Sequence, residues 1–162
     1  MSFATQRVYA GLSGGLCLVW LPVTLIAAQS RAHRPAVRRP HGTIAVGATA
    51  RDTLRRSDLL LPAESTYAQE WKMAGVAGET VTIDVASLAF DAYAFLFGPG
   101  FDADLPQDDD SGGNCNARLT VRLPKSGDYY VVVTSRDKYA TGPFTLSVAP
   151  GPKQASLVRC NR

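Results

Sequence analysis

At 162 residues the chain has room for one domain, an export leader and short tails. Its formal charge of +3 is unevenly placed: six of the 17 basic residues (Arg7, Arg31, Arg34, Arg38, Arg39 and Arg51) precede Asp52, the first of the 14 acidic ones. From Asp52 onward 11 basic residues stand against all 14 acids, so the part able to fold is mildly acidic, which excludes a nucleic-acid module carrying its positive charge on the domain.

The N-terminus runs from Arg7 into an uncharged apolar stretch, Val8 to Ala28, that ends in small residues. Those are the marks of a secretory signal over residues 1–30, with cleavage after Ala28, Ser30 or Ala32. The stretch is also long enough to span a bilayer, so the alternative is an uncleaved anchor, with the membrane as a partner in that case alone. Gly11, Gly14, Gly15 and Pro22 weaken a spanning helix, whereas Arg31, Arg34, Arg38 and Arg39 place more positive charge after the run than before it. Leu16, which is not small, precedes Cys17 and argues against a lipidated cysteine. The expectation is export to the periplasm or the extracellular space. Residues 31–42, with Pro35, Pro40 and no apolar periodicity, read as a disordered basic linker.

Structure is expected from Gly42-Thr43-Ile44-Ala45-Val46-Gly47 onward, followed by a loop-bounded edge segment over Ala50–Leu61. Beyond it the pattern has period two. Trp71 and Met73 are inward candidates, Val76 to Glu79 is a turn, and Val81, Ile83 and Val85 alternate with Thr80, Thr82 and Asp84. Tyr93, Phe95 and Phe97 read as the next inward row, ended by Gly98-Pro99-Gly100. Leu119, Val121 and Leu123 alternate with Arg118, Thr120 and Arg122; Tyr129 to Val133 suits a strand covered on both sides; Phe144, Leu146 and Val148 close the series. Short strands punctuated by glycine and proline, with no convincing helix, predict an all-β protein: one antiparallel β-sandwich over residues 43–149 and a C-terminal tail over 150–162.

An ordered set of motifs gives this region a family likeness: Ile44-Ala45-Val46-Gly47 with Asp52 and Leu54; an aromatic strand around Trp71; Thr80-Val81-Thr82-Ile83-Asp84-Val85; Phe90-Asp91-Ala92-Tyr93; Asp108-Asp109-Asp110-Ser111-Gly112-Gly113; residues 117–135; and Thr141-Gly142-Pro143-Phe144 through Val148. Together they resemble the bacterial pre-peptidase C-terminal domain family over roughly residues 43 to 149. The resemblance implies a jelly-roll-like β-sandwich of the kind appended to secreted peptidases. The expectation is a module without a catalytic peptidase domain before it, so the family's role as an appendage does not carry over directly; the cysteine pair is not part of the family pattern.

Catalytic side chains are scarce. His33 and His41, the only histidines, fall in the basic linker, where a solvated spacer role is expected, so the domain offers no Ser-His or Cys-His nucleophile. Glu64, Glu70 and Glu79 are the carboxylates open to an unrecognised hydrolase site. The reading is therefore a non-enzymatic exported module that binds or stabilises a protein or glycan partner, with a structural envelope protein lacking a discrete ligand as an alternative. Tyr67, Tyr130 and Tyr139 are the candidate surface contacts. No cofactor is required. Calcium fits the crowding of Asp108, Asp109 and Asp110, with Asp91 behind them, because it takes hard oxygen ligands; the competing role for these residues is turn formation. Past the leader two cysteines remain, Cys115 and Cys160, and an even pair in an exported chain predicts a disulfide.

Overall fold

Alternating apolar residues become strand wherever turn residues bound them, and ten strands with no helix result among the described residues. The computed structural model describes residues 39–102 and 104–161. The expected leader, with Cys17, and the expected linker up to residue 38, with His33, lie outside the described residues.

The strands are β1 (Gly42–Thr43), β2 (Thr49–Leu54), β3 (Leu59–Leu61), β4 (Thr66–Gly75), β5 (Thr80–Ala86), β6 (Ala92–Phe97), β7 (Gln107–Asp108), β8 (Ala117–Arg122), β9 (Gly127–Ser135) and β10 (Gly142–Pro150). A front sheet has the order β1-β4-β9-β6-β7, with β3 also paired to β4; a back sheet has the order β2-β10-β5-β8. All pairings are antiparallel except β1 with β4. The predicted sandwich is therefore the observed one. The segment read as a single edge, Ala50–Leu61, divides between the sheets: β2 forms an edge of the back sheet and β3 flanks β4 in the front one.

The two inner faces meet in one core. Val81, Ile83 and Val85 on β5 and Phe144, Leu146 and Val148 on β10 face Trp71 and Met73 on β4 and Tyr129, Val131 and Val133 on β9. Burying each such aliphatic side chain is worth about 1.5–3 kcal/mol. β1 can lie against the Trp71 ring because Gly42 has no side chain; a Cβ there would come within 2.6 Å of the indole.

One expectation is reversed. Tyr93, Phe95 and Phe97 do not point inward; Ala92, Ala94 and Leu96, all fully buried, do. The interior beside β6 is filled by Phe90, Trp71, Tyr129 and Phe144, so the inner row is built mainly of alanine and the aromatic row faces out. On β9 the residues from Val131 to Ser135 are buried on both faces, whereas Tyr130, also within the apolar run, is only half-buried on the outer one. Val132, which points away from the core, is nevertheless only 1% exposed, lying beside Phe95 in the register of β9 and β6.

Candidate functional site

The acidic loop lies between β7 and β8, where the front and back sheets approach at one edge. Asp108 belongs to both sides of that junction. Its backbone pairs with Ala94 of β6, while its Oδ2 accepts hydrogen bonds from the N–H groups of Ser111 (2.9 Å) and Arg118 (2.8 Å). This is turn and edge-capping chemistry of the kind aspartate favours. Asp109 pairs with Arg136 at 3.2 Å. Asp110, which is exposed, and Asp91, half-buried after β5, come together instead: their carboxylate oxygens and the sulfurs of Cys115 and Cys160 all lie within 4.8 Å of one another. The sulfurs are bonded to each other, and Asp91 Oδ2 lies 3.8 Å from Cys160 Sγ, so any cation here would be held by the carboxylates and not by thiolates. Of the four aspartates expected to share a cation, the structure brings Asp91 and Asp110 together and turns Asp108 and Asp109 to other groups.

The Cys115–Cys160 disulfide is present and closes a separation of 45 residues. Asn114 and Cys115 both adopt left-handed backbone conformations (φ 54° and 61°), which turns the chain sharply into β8. From the bridge back to β10, the tail is fastened across the outer side of the back sheet. Thr82 donates to Gly151 O (2.8 Å) and accepts from Lys153 N–H (3.0 Å); Thr120 donates to Lys153 O (3.1 Å); Arg118 donates to Gln154 O (2.8 Å); Ser156 N–H donates to Ser111 O (2.8 Å). Asp84, also paired with Arg118, binds Lys153 Nζ at 2.7 Å. The outward Thr and Asp positions that alternate with the core of β5 thus become a polar track for the tail.

His41 is not a solvated spacer. Its Nε2 lies 2.7 Å from Asp52 Oδ2, its ring centroid is 5.5 Å from that of Trp71, and its N–H donates to Glu70 O. Burial would raise the Asp52 carboxyl, but the Thr53 N–H, the His41 ring and Arg55 together outweigh it and hold it below its ordinary range. The same group of residues blunts the β2 edge. Thr53 N–H donates to Asp52 Oδ1, and Thr53 O accepts from both Arg55 and Gln69. A cleft of about 240 Å³ next to it is lined by Arg39, His41, Ser57, Asp58, Gln69 and Glu70, among others. Asp58 there already accepts from Arg55 N–H and Gln69 Nε2. A larger open cleft of about 520 Å³ on the back sheet is lined by Arg51, Thr53, Ala86, Leu88, Pro143, Thr145 and their neighbours, with Asp52 as its one carboxylate.

The three glutamates named from sequence fall on and beside one strand. Glu64 precedes β4, Glu70 lies within it and Glu79 follows it.

The remaining feature is the outer face of the front sheet, which sequence reasoning assigned to the core. Tyr93, Phe95 and Phe97 form a continuous row, with ring centroids 5.8 and 5.3 Å apart and planes inclined by 52° and 84°. Tyr130 stands opposite Phe97 and Val132 opposite Phe95. Tyr93 donates its hydroxyl to Gln107, and the Arg136 guanidinium lies 5.3 Å from its ring centroid. Burial raises the Tyr93 phenol, an effect that Arg136 opposes and Asp109 and Glu64 reinforce. Of the other tyrosines named from sequence, Tyr139 is 57% exposed on the β9–β10 loop, and Tyr67 is half-buried beneath it at 6.3 Å between rings.

No protein-family model matches the sequence, and no curated protein does. Solved structures do. The pre-peptidase C-terminal domain of collagenase from Bacillus anthracis is similar at 17% identity, with a TM-score of 0.47, over 68% of this chain and 97% of that one. PliG of Aeromonas hydrophila, a periplasmic lysozyme inhibitor of g-type lysozyme, is similar at 18% identity and TM-score 0.49, over 68% and 96%. Salmonella Typhimurium PliG, also a periplasmic inhibitor of g-type lysozyme, is similar at 17% and 0.45, over 68% and 98%.

Proposed function

We propose that the chain is an exported, non-catalytic β-sandwich module that binds or stabilises a protein or glycan partner in the envelope or outside the cell. The observation that carries this reading is the Cys115–Cys160 disulfide, which joins the two cysteines that follow the leader and locks the tail to the domain. Such bridges persist in oxidising compartments and are rare where thiols are kept reduced. The engagement of Asp52, Asp58 and Asp84 by protein partners is consistent with a binding role. A calcium ion held between Asp91 and Asp110 is proposed as a stabiliser of the loop at the bridge, not as a reactant.

Intact-mass measurement of the chain recovered from cell fractions tests this reading. The expected result is a periplasmic or secreted species, shortened at its N-terminus, that takes up alkylating agent at Cys115 and Cys160 only after reduction. A cytosolic species with two free thiols would overturn it. The competing class, a hydrolase using a carboxylate, has the cleft around Glu70 as its seat; hydrolysis of a broad peptide or glycoside panel that is lost in Glu70→Gln would establish that class instead.

A further inference from the structure

We infer that the outer face of the front sheet is a docking surface for an uncharged, apolar segment of another protein; this rests on reading the chain as an exported binding module. The face is centred on Phe95, Phe97 and Tyr130, brought together by the β6–β9 register, with Val132 buried beside them. Phe97 is 38% exposed, while its neighbours are half-buried by one another and Val132 is fully covered. Aromatic residues grouped on an exposed sheet face, with a charged border, have the composition of an interface centre and its rim.

The charges decide what fits. Lys72 on β4 is bound to Asp128 at 2.8 Å, and Arg136 at the far end is bound to Asp109. Asp128 is the first cause of the raised Lys72 ammonium pKa. Both cations bordering the face are thus matched by carboxylates, and Glu70 on the β4 side adds a further negative charge. An anionic polymer would have to displace Asp128 or Asp109 to reach Lys72 or Arg136, so an acidic glycan or nucleic acid is a poor occupant. The ring planes separate the two neutral classes. A sugar chain lying flat needs ring faces turned the same way, whereas Phe95 and Phe97 stand nearly perpendicular, at 84°. Apolar side chains of a peptide need no common ring plane and can meet such rings on edge or face.

The probe is a phage-displayed random peptide library selected on the immobilised, oxidised chain, with recovered peptides synthesised and titrated in solution. The expected peptides are rich in aromatic and aliphatic residues and bind Phe97→Ser at least about tenfold more weakly, as loss of an interface anchor does. Leu157→Ser, which alters a tail residue 98% exposed, leaves their affinity unchanged. Circular dichroism and melting of Phe97→Ser establish that the sandwich is intact. Peptide binding insensitive to Phe97→Ser and Tyr130→Ser overturns the docking face while leaving a binding module with another surface. Neutral oligosaccharides such as cellohexaose or chitohexaose binding in a Phe97-dependent way overturn the protein partner in favour of a glycan. Phe97-dependent self-association in sedimentation assigns the face to a second copy and likewise overturns a heterologous partner. If neither peptides nor oligosaccharides bind anywhere on the chain, both this inference and the binding-module reading fall.

Discussion

Lys153 Nζ lies 2.7 Å from Asp84 Oδ2, so the third residue past β10 is fastened to the middle of β5. This contact, the paired threonines and the disulfide hold the tail at successive points. The bridge is the dominant one. Closing a 45-residue loop restricts the unfolded chain by about 4 kcal/mol in the chain-entropy model. Chemical denaturation is expected to show a large loss of stability on reduction or in Cys160→Ser, approaching that figure. Lys153→Ala, which removes one partly exposed ion pair, costs less than about 1 kcal/mol. Equal stability of the oxidised and reduced chains would show that the tail does not constrain the fold.

The orientation of β6 yields a second prediction. Ala94 is fully buried and Phe97 is 38% exposed. Ala94→Leu overpacks the core and is expected to cost about 1–3 kcal/mol in urea unfolding. Phe97→Ser removes a side chain on the open face and should cost about 1 kcal/mol or less. The opposite ranking would put the aromatic row inside.

That row also marks the limit of what the sequence discloses. Strand positions with clean apolar–polar alternation, such as Val81-Thr82-Ile83-Asp84-Val85, carry their own orientation, because one face is polar. Ala92 to Phe97 is apolar on both faces, and period two alone cannot say which face is buried. What decides it is the volume left by Phe90, Trp71, Tyr129 and Phe144, contributed by segments elsewhere in the chain. The Cys115–Cys160 pairing was legible because two cysteines leave one partner each. The His41–Asp52 contact was not: eleven residues and a glycine-rich turn separate them, and no local pattern signals the contact. The acidic run was legible as a cluster, but its division among Arg136, backbone N–H groups and Asp91 depends on how β7 and β8 meet.

Asp52 sets a third prediction. Its pKa is lowered in the folded chain, so as pH falls through the ordinary carboxylate range the unfolded state takes up a proton before the folded state does. The stabilisation from this residue is therefore fully present above its unfolded pKa, near 4, and is lost progressively as pH falls through the folded value. In Asp52→Asn the acid limb of the stability profile, measured by urea unfolding from neutral pH downward, should be shallower than in the wild type. An unchanged acid limb would mean that Thr53, His41 and Arg55 do not hold the carboxylate in solution.

The last prediction concerns Asp91 and Asp110, whose carboxylates lie within 4.8 Å of each other at the bridge. Two negative charges this close repel, by less than about 1 kcal/mol where solvent screens them. In calcium-free buffer Asp110→Asn is therefore expected to match or slightly exceed the wild type in melting temperature. Calcium inverts the comparison. On the proposed reading it binds the folded pair and not the unfolded chain, raising stability by RT ln(1 + [L]/Kd), or about 2.7 kcal/mol at a hundredfold excess over Kd. The wild type should then melt several degrees higher in excess calcium than in chelator, while Asp110→Asn shows no increment. Asp109→Asn retains the increment, because Asp109 is engaged by Arg136. Identical wild-type melting with calcium and with chelator would leave Asp108 to Gly113 with turn formation as its role.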